Sequence, residues 1–178
     1  GDRMAEEGLE SLFPISEMAV MGVFEILPHA PRLLRRVAET VDNVTKHRPD
    51  ALITIDSKAF TMRVARRLRK RRDEGGMHIP LIHMVAPTVW AWRPGRAKVI
   101  ARFLDHLLVL FPFEPPYFER HGLATTFIGH PAVDQPPGDG KAFRERLQIP
   151  QEATLLAVLP GSRPGEVKRL LPVFARTV

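Results

Sequence analysis

A chain of 178 residues with 44% hydrophobic and 26% charged side chains has an ordinary globular composition and enough length to bury a core. It holds no cysteine, which excludes a disulfide framework and a thiolate metal site and fits a reducing compartment. Lys and Arg outnumber Asp and Glu 26 to 20, so the formal charge of +6 points to anionic partners: phosphorylated substrates, an acidic membrane surface or nucleic acid.

No signal peptide opens the chain, and no run approaches the roughly 20 apolar residues of a spanning helix. Met18 to Leu27 is apolar nearly all round, with Glu25 its main interruption, and leads into Arg32, Arg35 and Arg36. It reads either as a buried helix or as a segment that dips into a membrane interface. Pro31 to His47 follows as an amphipathic helix, with Leu34, Val37, Val41 and Val44 on one face. Ala51 to Ile55 is a strand that ends at Asp56. A carboxylate at that edge serves as a general base, helped where partial burial raises its pKa, or it caps the next helix.

Ala59 to Arg72 is a helix with Phe60, Val64 and Leu68 four apart, stopped by Gly75-Gly76. Its end carries Arg63, Arg66, Arg67, Arg69, Lys70, Arg71 and Arg72, which form a docking surface for anions or a solvated face with cations well placed at a helix C-terminus. Ile79 to Val85 is the next strand. The loop after it, Pro87-Thr-Val-Trp-Ala-Trp-Arg-Pro-Gly-Arg96, holds both tryptophans. Open parallel sheets bind ligands at the carboxyl ends of their strands. Trp92 and Arg93 are therefore either site residues for something large and anionic, or a core plug with a solvated rim.

Pro94 to Phe103 reads as helical, His106 to Leu110 as a strand, Glu114 to Arg120 as a short helix and Thr125 to Ile128 as a strand. Strand–helix alternation predicts a parallel sheet covered on both faces. His130 follows the last of these strands, as a ligand contact or a turn histidine satisfied by backbone. The seven histidines show no metal-like spacing, and no Asp-Xaa-Asp pair is present, so a metal is not expected. Pro131 to Gly140, with three prolines and two glycines, reads as a hinge. This divides the chain into an α/β domain over residues 1–133 and the start of a second over 134–178. Thr154 to Leu159 is expected to be a strand, with a helix from about Pro164. Between them Gly161, Ser162 and Arg163 form a diphosphate cradle or an ordinary turn.

Gly1-Asp-Arg-Met4, Ala19-Val-Met-Gly22 with Glu25, Ile55-Asp56, Val89-Trp-Ala-Trp-Arg93, Leu110 to Glu114, Phe127-Ile-Gly-His-Pro131 and Leu159-Pro-Gly-Ser-Arg163 occur in this order across the whole chain. Together they closely resemble the lipid-A-disaccharide synthase family, inverting glycosyltransferases of the GT-B type. The resemblance implies two Rossmann-like domains facing across a cleft. It implies transfer of the sugar of UDP-2,3-diacylglucosamine to 2,3-diacylglucosamine 1-phosphate, giving a β-1,6 disaccharide and UDP with no metal or other cofactor, at the cytoplasmic face of the inner membrane. It makes Asp56 the catalytic base. It assigns Arg163, Ser162, Gly161, Arg93, Trp92 and His130 to the substrates, and Val20, Phe24, Ile26 and Leu27 to acyl chains or an anionic membrane surface.

Relatives often carry a second aspartate in Asp-Xaa-Pro-Asp-Phe; here the stretch is Asp56-Ser57-Lys58-Ala59-Phe60. The family's opening glycine-rich loop would lie before Gly1 and its uridine-gripping segment beyond Val178, so the chain alone is expected to be inactive. Two rival readings remain. One is another GT-B enzyme of UDP-N-acetylglucosamine, such as a non-hydrolysing 2-epimerase. The other is a nucleic-acid module using the basic helix, disfavoured because only Phe60 lies near as an aromatic. No oligomeric state follows from the residues.

Overall fold

The computed structural model describes residues 2–14, 23–76, 78–162 and 164–177. They form two compact units, Gly1–Asp134 and Gln135–Val178.

The first unit is a four-stranded parallel sheet in the order β1-β2-β3-β4, made of Leu52–Ile55, Leu81–Met84, His106–Val109 and Ala124–Phe127. In register, Leu52 faces Leu81, His83 faces Leu107, and Val109 faces Phe127. A short helix α1, Asp2–Glu6, and a long one, α2, Val23–His47, precede the sheet. The helix predicted from Pro31 thus begins eight residues earlier and runs through Pro28 and Pro31. Helix α3, Lys58–Asp73, joins β1 to β2, and α4, Arg96–Ile100, joins β2 to β3. Helix α5, Pro115–Glu119, opens on prolines, whose fixed φ suits a first turn, and joins β3 to β4.

Strand order that advances one way, with right-handed crossovers, sends every connecting helix to the same face of the sheet. That face holds the core. Val37, Val41 and Val44 of α2 and Val64, Ala65 and Leu68 of α3 are buried with Leu81, Leu107, Val109 and Phe118. The four-apart spacing of α3 therefore does face the core, with Phe60 packed at its margin. Among the described residues the opposite face is open at its edge, where the prediction had it covered. On the edge strand Ile53 is 59% and Ile55 51% exposed. The prediction of two-sided burial came from strand–helix alternation, and alternation says nothing about which way the strand order runs.

In the second unit α6 spans Gly140–Arg146, capped by Asp139, whose carboxylate accepts from the Ala142 N–H at 2.9 Å. Helix α7 spans Pro164–Thr177. The strand predicted over Thr154 to Leu159 is absent: the segment forms no regular element, with Leu156 and Leu159 exposed. A parallel strand exists only beside a neighbour, and this unit has none among the described residues.

Candidate active site

Four loops leave the carboxyl edge of the sheet, one after each strand, and the residues that carry chemistry lie on them. After β1 come Asp56 and Ser57, both at φ +44°. After β2 come Val85 at φ +76° and Arg93 at φ +57°. Left-handed backbone costs a non-glycine residue about 1 kcal/mol or more, and a β-branched residue most. Four of the six such residues in the described chain thus lie in the loops after β1 and β2.

The strained turn after β1 is held from both sides. The Asp56 N–H donates to the Met84 carbonyl at 3.0 Å, and the Thr61 hydroxyl donates to the Asp56 carbonyl. Thr61 is itself buried against the core. The Asp56 side chain is exposed and makes no hydrogen bond or ion pair among the described residues. It does not cap α3. That position falls to Ser57, whose hydroxyl makes no capping bond either. The helix-cap reading of Asp56 is therefore corrected, and no burial assists its carboxylate, which is exposed to solvent.

The tryptophans are not core plugs. Trp90 is 42% and Trp92 60% exposed. Trp92 is instead a platform for two cations, with the guanidinium of Arg93 at 4.2 Å and that of Arg96 at 4.9 Å from its ring. Neither arginine has a carboxylate partner among the described residues. Trp90 packs edge-on against Phe113 at 5.3 Å and donates from Nε1 to Glu114 at 3.4 Å. Glu114, wholly buried, also accepts from the backbone N–H groups of Leu110 at 3.1 Å and Phe111 at 3.0 Å, tying the loops after β2 and β3 together. Sequence reasoning did not single out Glu114 as a functional residue; its signal was an acid directly before Pro115-Pro116 at a helix start.

His130, after β4, lies 5.8 Å from Phe111 and accepts from the Ala132 N–H through Nδ1 at 3.1 Å. Backbone satisfies one ring nitrogen, as the plainer reading had it. The same bond puts the proton of the neutral ring on Nε2, which leaves that N–H as a donor.

Beneath this edge lies a residue not singled out from sequence. His83 is fully buried, with Nδ1 2.8 Å from the Thr54 hydroxyl, which in turn donates to the Ile82 carbonyl at 3.1 Å. Its Nε2 has no partner. Burial pushes its pKa down from 6.5 to about 4, against the opposing pull of the Val85 backbone and the Asp56 charge. Because the unfolded histidine protonates first, folding stability should fall as pH drops from about 6.5 towards 4, by on the order of 3 kcal/mol. Urea unfolding of the protein at pH 7 and 4.5 checks this: His83→Gln should flatten the difference, and an unchanged difference would remove His83 as its source. Asp105 acts at lower pH. Its burial works against ionisation, but the Arg72 fork, two bonds of 2.9 Å, and the Leu81 N–H hold its carboxyl below 3.8.

The basic end of α3 divides in two. Arg72 and Arg69 pair with Asp105, Arg69 also with Asp73, Lys70 with Glu74, and Arg71 with Asp42. Arg63, Arg66 and Arg67 have no acidic partner among the described residues.

In the second unit, Gly161 has φ +109°, and a Cβ there would sit 2.7 Å from the Glu166 carboxylate, so only glycine makes this turn without displacement. Gly161 and Ser162 are exposed directly before α7. Arg163 and Val20 lie outside the described residues. Phe24, Ile26 and Leu27 fall on the first turns of α2, with their side chains outside the description. No described helix is long and apolar enough to cross a membrane, and no three His, Asp or Glu side chains gather as a metal site among the described residues.

A parallel α/β sheet with its chemistry on the loops at the carboxyl edge is the Rossmann-like architecture of GT-B glycosyltransferases. The chain belongs to the lipid-A-disaccharide synthetase family, whose model matches residues 1–178. It is 54% identical over 180 residues to the lipid-A-disaccharide synthase of Rhodospirillum centenum, covering 100% of this chain and 44% of that protein. It is 48% identical to that of Paramagnetospirillum magneticum, covering 100% and 45%, and 50% identical to that of Ruegeria pomeroyi, covering 98% and 43%. The chain therefore spans less than half the length of these relatives.

Proposed function

We propose that the full-length protein carrying this chain is a lipid-A-disaccharide synthase. It would transfer 2,3-diacylglucosamine from UDP to the 6-hydroxyl of 2,3-diacylglucosamine 1-phosphate. The observation that supports this most is the Asp56 carboxylate, unbonded on a strained turn at the carboxyl edge of β1, in a chain of this family.

In this reading Asp56 takes the proton of the acceptor hydroxyl as its oxygen bonds the anomeric carbon. The bond from that carbon to UDP breaks on the opposite side, inverting the centre. Gly161, Ser162 and Arg163 cradle the departing diphosphate, which carries the developing charge. Arg93 on Trp92 and the Nε2–H of His130 orient substrate oxygens. No metal or cofactor takes part. Residues 1–133 form the acceptor-side domain and 134–178 open the nucleotide-sugar domain. The apolar segment with Val20, Phe24, Ile26 and Leu27 meets acyl chains at the anionic inner face of the inner membrane, where the enzyme sits as a peripheral protein.

Assays of the full-length enzyme with UDP-2,3-diacylglucosamine and with UDP-N-acetylglucosamine test the reading. Disaccharide 1-phosphate should form only from the acylated donor. Turnover of UDP-N-acetylglucosamine alone, as a 2-epimerase would give, overturns it.

A further inference from the structure

A cavity of about 400 Å³ opens between the first turns of α3 and helix α4, bounded by Lys58, Arg66 and Arg96 and floored by Met62, Val99 and Phe103. No acid lines it. The ion pairs of α3 neutralise its carboxyl-terminal half, through Asp42, Asp73, Glu74 and Asp105, and stop before Arg66. Both arginines of the cavity are held by rings instead: Arg66 lies 5.1 Å over Phe103 and Arg96 4.9 Å over Trp92. A ring engages the flat face of a guanidinium and leaves its N–H edge free, which is the edge that binds an oxyanion in a fork. The cavity thus joins an apolar floor to three cations that form no ion pair among the described residues.

We propose that this cavity binds the phosphate of an acylated, phosphorylated sugar, with the first carbons of an acyl chain on the floor, and so is the anion subsite for the acceptor. The assignment rests on the proposed transfer reaction. Lys58 follows Asp56 by two residues, so their Cα atoms lie within about 7 Å. One pyranose ring can therefore present its hydroxyl end to Asp56 and its phosphate end to the cavity.

The test compares phosphorylated and dephosphorylated 2,3-diacylglucosamine as acceptors for the full-length enzyme, wild type against Arg66→Gln and Arg96→Gln. Each variant should raise KM for the phosphorylated acceptor about tenfold, the loss of one charge-assisted contact. KM for the dephosphorylated acceptor and for the UDP donor should not move, and Arg66→Lys, which keeps the charge but not the fork, should recover only part of the loss. Equal losses on both acceptors, or none, overturn the proposal. So does a variant that loses binding only to phosphatidylglycerol vesicles while its acceptor kinetics in detergent stay wild type, since the cations would then serve the membrane. Calorimetric binding of both acceptors to the Asp56→Asn enzyme separates the two layers. Phosphate-dependent binding without transfer by the wild type would sink the reaction and keep the subsite. Transfer with binding indifferent to the phosphate would sink the subsite.

Discussion

Asp56→Asn in the full-length enzyme should lower turnover by about 10²–10⁴-fold while leaving the unfolding transition where it was. The structural half of that expectation comes from what Asp56 does not do. Its side chain caps no helix and meets no cation, and the turn is held by backbone and by Thr61. An amide is close to a carboxylate in shape, so the turn should survive while the proton acceptor is lost. Donor and acceptor KM should change little, because a base acts mainly in the transition state. Parallel measurement of kcat and of the melting temperature checks this. Near-normal turnover would remove Asp56 as the base, and a drop in melting temperature would reveal a structural bond.

Glu114→Ala should act the other way, costing about 2–4 kcal/mol of stability. The buried carboxylate accepts from two backbone N–H groups and from Trp90, and its loss takes the acceptor from all three donors at once. Glu114→Gln keeps one acceptor oxygen and should cost less. Urea unfolding of the three forms of the full-length enzyme orders them. Equal stability of Ala and wild type would mean that water replaces the carboxylate. Because the same carboxylate joins the loops after β2 and β3, the Ala form should also loosen the Trp90–Phe113 contact, readable as a shift in tryptophan fluorescence.

The sequence made α3 legible because Phe60, Val64 and Leu68 repeat at helical spacing, and made β1 to β4 legible because short apolar runs stand between turn formers. It placed the loop of Trp92 and Arg93 at the carboxyl edge through the strand before it. The same apolar pattern misled at Thr154 to Leu159, since strand character is local but strand pairing is not. His83 and Glu114 escaped because burial of a polar residue is decided by partners distant in the chain: Thr54 is 29 positions from His83, and Trp90 is 24 from Glu114. The division of the basic helix into paired and unpaired halves escaped for the same reason, as Asp42 and Asp105 approach it from other elements. The left-handed turns left no trace at all. A glycine would have announced them, and Asp56, Ser57, Val85 and Arg93 stand there instead.

Those turns set a trade-off for anyone who would harden this protein. Glycine at Ser57, Val85 or Arg93 would relieve backbone strain, so the easiest stabilising changes lie where the proposed chemistry is held in place. A selection for heat resistance alone would drift towards slack strand ends and a blunted enzyme. A selection for turnover would keep the tension and look for its stability elsewhere, in the layer of valines between α2 and α3.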